Sequence, residues 1–304
     1  MMLLADAAPT APSAREVMVR AEGENFPVAS RALPRRVRAH MLAVYGFARL
    51  VDELGDSAPG DRLAALDWLE SELQRAYDGT PEHPLMTRLA ATVRECGLPR
   101  EPFERLIEAN RTDQRVSRYE TWQQLRGYCA LSADPVGEIV LGIFGKATPE
   151  RIALSDSICT ALQLAEHCQD VVEDYSVGRI YLPAEDLARF GATTAELATT
   201  AELGAGSEGD DTALRAVLAF EVERARGLLD DGAPLVGELR GRERIAVAAF
   251  VAGGRAALDA IERAHYDVLS GPPRASGWRR LRALASVLWR QRRGGATGVV
   301  PSRS

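Results

Sequence analysis

Apolar positions recur at intervals of three and four residues through most of the chain, as in Leu63, Leu66, Leu69 and Leu73 and again in Val217, Phe220, Leu228 and Leu229. That period is helical, because residues three and four apart share a helix face, whereas a half-buried strand alternates with period two. No alternating stretch of useful length interrupts it. Strong breakers are sparse and punctuate the pattern: Ala58-Pro59-Gly60, Gly79-Thr80-Pro81, Gly97-Leu98-Pro99, Leu182-Pro183 and Gly271-Pro272-Pro273. The pattern predicts roughly ten or more helices joined by short loops. Residues 204–211, rich in Gly, Ser and acids, predict a surface loop or a link, since they have nothing to bury. Within them Gly204-Ala-Gly206-Ser-Glu-Gly209 spells GxGxxG. That motif binds a dinucleotide only between a buried strand and a helix N-terminus. Here a helical stretch precedes it and acids follow, so no nicotinamide site is predicted.

Composition adds little to this picture until charge is mapped. The 304 residues are 46% apolar and 26% charged, which is ordinary for a soluble globular chain and excludes disorder and collagen-like repetition. The net charge of −6 is unevenly placed: residues 271–304 carry eight arginines and no acid, which leaves −14 on residues 1–270. An acidic body with a basic tail does not announce a nucleic-acid partner. The four cysteines, 96, 129, 159 and 168, lack any metal-ligand spacing, and the N-terminal stretch lacks the basic and apolar regions of a leader. Apolar runs such as 245–252 fall far short of the ~18 residues of a membrane span. A reducing cytoplasm is the expected setting.

Two acidic stretches change the picture further. In Tyr45-Gly-Phe-Ala-Arg49-Leu-Val-Asp52-Glu53-Leu-Gly-Asp56, Asp52 and Asp56 lie one helical turn apart with Arg49 on the same side. In Gln163-Leu-Ala-Glu166-His-Cys-Gln169-Asp170-Val-Val-Glu173-Asp174, the carboxylates of Glu166, Asp170 and Asp174 form an i, i+4, i+8 ladder. Leu162, Leu164, Ala165, Cys168, Val171 and Val172 surround that ladder with apolar surface, so the helix is expected to be largely buried and its acids to demand a counter-ion. Mg²⁺ suits them, because it takes one or two carboxylates and fills its other positions with water and phosphate oxygens. Two such helices across a pocket would hold Mg²⁺ against a diphosphate and draw off the charge of a departing leaving group. The plain reading of either stretch alone is a solvated helix face.

With these residues in view, the chain resembles the squalene/phytoene synthase family of head-to-head isoprenyl diphosphate synthases, over about residues 25–288. The resemblance rests on Glu24-Asn25-Phe26-Pro27-Val28-Ala29-Ser30, Leu33-Pro34-Arg35-Arg36 and Ala161-Leu-Gln163-Leu. It rests further on Tyr128-Cys129 with Asp134-Pro135-Val136-Gly137, and on Gly178-Arg179-Ile180-Tyr181-Leu182-Pro183. Within the family it is most similar to the bacterial hydroxysqualene synthase branch of hopanoid biosynthesis. The resemblance implies an all-α terpenoid-synthase bundle around a central apolar cavity, as a single domain over 21–290, with a flexible N-terminus over 1–20 and a disordered basic tail over 291–304. It implies Asp52, Asp56, Asp170 and Asp174, with Tyr45, as catalytic. Glu166 and those four aspartates would hold Mg²⁺. Asn25, Arg49 and Gln163 would contact substrate, Arg179 and Tyr181 would either contact it or lock the loop after the second acidic helix, and Tyr128, Val136 and Gly137 would line the hydrocarbon channel.

The departures from the family pattern are informative. Asn25 and Pro27 stand where serines are usual, Glu166 where asparagine is common, Gln169 where arginine is frequent, and no tyrosine lies near Ala257. A weakened grip on a second diphosphate suits an enzyme that ionises one diphosphate rather than condensing two. The expected reaction takes presqualene diphosphate through a cyclopropylcarbinyl cation to an allylic cation that water captures as hydroxysqualene, with no hydride donor. The runner-up condenses two prenyl diphosphates to presqualene diphosphate, squalene or phytoene; a second alternative is a catalytically silent helical partner of a sister synthase.

His167 reads as a packing or supporting residue, Cys129 and Cys168 as small core residues, and Asp113 and Arg115 as pocket groups or a surface ion pair. Trp278, Leu281, Leu284 and Leu288 share a helical face, with Arg279, Arg280, Arg282 and Arg290 elsewhere. That basic amphipathic segment either closes the bundle or meets an anionic membrane peripherally.

Overall fold

The breakers fall where helices end. Gly79 and Gly97 adopt left-handed conformations (φ 89° and 63°) just past the helices that precede them, and Pro84, Pro102 and Pro149 sit in first turns, where a missing N–H costs nothing. The computed structural model describes residues 12–14, 17, 33–194, 211–273, 276, 280 and 282–288. Among them the elements are α1 (Arg35–Asp52), a π-helical turn (Glu53–Ser57), α2 (Arg62–Asp78), α3 (Pro84–Cys96), α4 (Glu101–Asp113), α5 (Trp122–Ser132) and α6 (Asp134–Ile143). Then come α7 (Pro149–Gln169), α8 (Val171–Ser176), α9 (Ala184–Phe190), α10 (Thr212–Gly232), α11 (Leu235–Glu238) and α12 (Gly241–Arg263). The only extended pairing among the described residues is a single parallel bridge between Arg118 and Ile180. The all-α expectation therefore holds. The GxGxxG stretch itself, the N-terminal and C-terminal ends of the chain, Trp278, Leu281, Arg279 and Arg290 lie outside the described residues.

The described residues divide into two compact units, 1–116 with 139–146, and 117–138 with 147–304. In the first, α1 packs on α3 and α4, and α2 on α3 and α4. Leu66, Leu69 and Leu73 are fully buried, as their spacing predicts, while Leu63 at the head of α2 is 40% exposed. Phe47 and Phe103 meet edge to face at 5.3 Å, an arrangement aromatic quadrupoles favour. Glu72, fully buried, accepts hydrogen bonds from the backbone N–H groups of Glu82 and His83 and from Arg75 Nε, which satisfies the donors at the start of α3.

In the second unit α7 lies along α10, and α12 packs on both. Ile158, Ala161, Leu164, Ala165 and Cys168 of α7 bury their side of the contact, and Val217, Leu218, Val222, Ala225 and Leu229 of α10 bury theirs. Burial of this seam stabilises the unit by roughly 25 cal/mol per Å² of apolar area taken from water. No helix among the described residues is long and apolar enough to cross a membrane.

Candidate active site: two carboxylate clusters

The first acidic stretch does not form one uninterrupted α-helix. α1 ends at Asp52 and the chain continues as the π-helical turn that carries Asp56. The wider turn has identifiable supports on α4 and just beyond it. Gln114 Nε2 donates to the Gly55 carbonyl at 2.9 Å, and the Asn110 side chain occupies the space where any Cβ at position 55 would stand. π-helical turns are rare and concentrate at functional sites. Asp52 is half exposed and 3.6 Å from Arg49 Nη1, Asp56 is exposed, and Tyr45 is buried one turn before Arg49. Sequence reasoning missed Asn110 and Gln114, whose only signal was their position beside Asp113. Arg115, a candidate pocket group, is an exposed partner of Glu108 at 3.3 Å.

The second stretch corrects the ladder in two ways. α7 stops at Gln169, and Asp170 occupies a junction (φ −104°, ψ 18°) before the short α8. The four-residue repeat survives the junction, since the Asp170 N–H donates to the Glu166 carbonyl at 2.9 Å and the Asp174 N–H to the Asp170 carbonyl at 2.8 Å. The ladder is also less buried than expected: Glu166 is exposed, and Asp170 and Asp174 are half-buried. The reason is that the apolar stripe of α7 is committed to α10, which leaves the acids on the opposite side of the helix. Burial and the charges of Glu166, Asp174 and Glu173 push the Asp170 carboxyl up to about 6.

Asp174 lines a recess with His167, Val171, Arg179, Ile180, Tyr181 and Leu182. The loop that supplies Arg179 and Tyr181 turns at Gly178 (φ 83°) and is anchored at both ends. The Arg179 N–H donates to the Asp174 carbonyl at 2.9 Å, the Ile180 N–H to the Ser117 carbonyl at 2.8 Å and the Ala184 N–H to the Tyr119 carbonyl at 2.9 Å. Tyr181 stacks on His167 (ring centroids 3.8 Å, interplanar angle 14°), and Tyr128 and Tyr119 complete an aromatic group around them. Gln163 Nε2 lies 3.3 Å from His167 Nε2. Tyr119 is a member that no motif suggested.

Other candidates have structural partners. Gly137 lets α6 approach α7 closely: a Cβ there would run into Ser155 Oγ and stand 2.7 Å from Cys159 Sγ. Val136 beside it is half-buried. Asp134 is a buried carboxylate, 2.7 Å from Arg126 Nη1 and 2.8 Å from Thr160 Oγ1. Cys129 and Cys168 are buried, and burial pushes the Cys129 thiol up to about 12 and Cys168 well above its ordinary value, which suits core residues. Asn25 and Pro27 lie outside the described residues.

A match to the family model described as squalene/phytoene synthase spans residues 19–279. The chain belongs to the squalene/phytoene synthase family. A hydroxysqualene synthase of Rhodopseudomonas palustris is 37% identical over 221 residues, which cover 71% of this chain and 72% of that protein. A presqualene diphosphate synthase of the same organism is 36% identical over 206 residues, covering 67% and 71%. The crystal structure of a squalene synthase from Alicyclobacillus acidocaldarius superposes with a TM-score of 0.75 at 46% identity, over 85% of this chain and 94% of that one. Family membership makes this a prenyltransferase-type enzyme acting on prenyl diphosphates, in the helical terpenoid-synthase fold of its solved relatives.

Among the described residues no three His, Cys, Asp or Glu side chains converge as a ready-made cage. Mg²⁺ does not require one, since it keeps several waters and shares its remaining positions with phosphate oxygens. All-oxygen ligands and a half-buried Asp170 crowded by like charge fit such an ion.

Proposed function

We propose that this enzyme is a hydroxysqualene synthase, which ionises presqualene diphosphate, rearranges the resulting cation and captures it with water, releasing hydroxysqualene and diphosphate. The observation that carries the reading is Gln169. Where the family often has an arginine beside the second acidic motif, this chain has a neutral amide, and its Nε2 is tied to the carbonyl of Pro273. One cation fewer at the Asp170 junction suits a site that handles a single diphosphate. Each acidic cluster would hold Mg²⁺ through its own carboxylates, Asp52 and Asp56 in the first, and Glu166, Asp170 and Asp174 in the second. When bound, that ion acts as a Lewis acid toward the leaving diphosphate.

The chain's own residues do the rest. Arg49 and Arg179 bind diphosphate oxygens by charge-assisted hydrogen bonds, which needs no proton transfer. Tyr45, Tyr128, Tyr181 and Val136 offer aromatic and aliphatic surface to the isoprenoid and keep water from the cation until the ring has opened. The allylic carbon then takes a water oxygen, and the water's proton leaves to solvent or diphosphate. No reductant enters this balance.

The presqualene diphosphate synthase relative, only one percentage point lower in identity, supports a runner-up that condenses two prenyl diphosphates. Incubation of purified protein and Mg²⁺ with presqualene diphosphate, and separately with farnesyl diphosphate, followed by mass spectrometry, decides between them. Hydroxysqualene from the first and nothing from the second is expected. Product from farnesyl diphosphate alone overturns the reading.

A further inference from the structure

His167 is the one imidazole in the second acidic cluster, and every side of its ring is engaged. It is 6% exposed, so its orientation is set by neighbours rather than by water. Its face lies on Tyr181 at 3.8 Å. Its Nε2 is 3.3 Å from Gln163 Nε2, and an amide nitrogen only donates, so this contact is a hydrogen bond in the tautomer whose Nε2 accepts and whose ring proton sits on Nδ1. That Nδ1 lies 3.8 Å from Asp174 Oδ2, within ion-pair range and just beyond hydrogen-bonding distance. Gln163, His167 and Asp174 thus form a relay whose far end is a candidate metal ligand, while Tyr181 is held in the same recess by the ring face.

We propose that His167 is a positioning residue for the diphosphate site: its Nδ1–H orients Asp174, Gln163 selects the tautomer that makes this possible, and the stacked ring fixes Tyr181. The inference rests on the acidic clusters binding Mg²⁺ and diphosphate. Hydrogen bonds behind a ligand of this kind govern metal affinity by about 10–100-fold. An aromatic residue without a donor would preserve the stack and lose the orientation; an amide would do the reverse, because the Asn Nδ2 falls near the place of the His Nδ1.

The test uses the full-length chain and titrates Mn²⁺, as a spectroscopic stand-in for Mg²⁺, in the presence of inorganic pyrophosphate, read by electron paramagnetic resonance. His167→Phe is expected to weaken Mn²⁺ binding about tenfold, and to raise the Mg²⁺ concentration for half-maximal turnover by the same factor while kcat at saturating metal stays close to that of the parent. His167→Asn is expected to recover most of the affinity. Mn²⁺ binding by His167→Phe equal to the parent's overturns the proposal, as does a His167→Asn variant as weak as the Phe variant. Should either substitution fail to fold, ¹⁵N spectra of histidine-labelled parent protein serve instead: an Nδ1–H tautomer at His167 supports the relay, and an Nε2–H tautomer ends it. Asp170→Asn is measured alongside. If it binds Mn²⁺ as the parent does, the acidic-site reading itself fails; if it binds weakly while His167→Phe is unaltered, only the role of His167 fails.

Discussion

At the residue scale, the second acidic motif concentrates negative charge that the fold does not fully neutralise. Asp170 titrates near 6 because burial and three neighbouring carboxylates oppose its ionisation. Asp170→Asn removes one of those charges at little cost to packing. Turnover is expected to fall on the order of 10²–10³-fold, with the melting temperature unchanged or slightly raised, as paired steady-state kinetics and thermal melts would show. A loss of folding would show that Asp170 acts as a structural group.

A second residue-scale feature lies deeper in the same unit. Glu221 of α10 and Asp186 of α9 share one guanidinium, Arg224, whose Nη1 is 2.5 Å from Glu221 and 2.9 Å from Asp186. Burial is the main force that pushes the Glu221 carboxyl up to about 8, with Asp186 adding to it and Arg224 opposing it. A folded value above the unfolded one means that the native state holds a proton that the unfolded chain releases, so stability falls as pH rises. The melting temperature of the parent is expected to decline from about pH 5 to about pH 8.5, the window between the unfolded and folded values. Glu221→Gln should flatten that decline. A pH-independent melt in the parent would contradict it. Nothing in the i, i+3 spacing of Glu221 and Arg224 says that Asp186 of α9 meets them.

At the element scale, what matters is how closely helices approach and where they break. Gly137 has no room for a methyl group against Ser155 and Cys159, so Gly137→Ala is expected to destabilise the protein by about 1–3 kcal/mol, measurable by urea denaturation. The π-helical turn makes a sharper test. Gln114→Leu removes the donor to the Gly55 carbonyl, and Gly55→Ala drives a methyl group into Asn110. Both should lower turnover by displacing Asp56, and a variant that melts earlier yet turns over normally would separate the turn from the site. Periodicity made the helices legible, since it reports which side of a helix is buried. It could not show the π-turn, which meets Asn110 and Gln114 from elsewhere in the chain, or the junction at Asp170, where the helical spacing of the acids continues across the break.

At the scale of the whole molecule, the proposed reaction calls for a metal ion and for no reductant. Chelation with EDTA is expected to abolish product formation from presqualene diphosphate, and Mg²⁺ to restore it, while added NADPH leaves the product unchanged. Conversion to squalene on adding NADPH would place the enzyme with the reducing synthases. The Arg280 and Arg282 side of the C-terminal segment, with Val287 buried against the fold, leaves a membrane contact as an expectation for vesicle binding to test.

By itself the sequence determined that the chain is helical and that its acids come in two turn-spaced clusters. These are properties of spacing, and a helix converts spacing directly into a shared face. Only the tertiary structure decided which acids are half-buried, that Asn110 and Gln114 open a π-turn beneath Asp56, that Tyr119 joins the aromatic group and that His167 stands between Gln163 and Asp174. The π-turn and the aromatic group depend on groups far apart in the chain being packed together, and His167 meets Asp174 only across the break in the helix at Asp170; local periodicity carries no record of either.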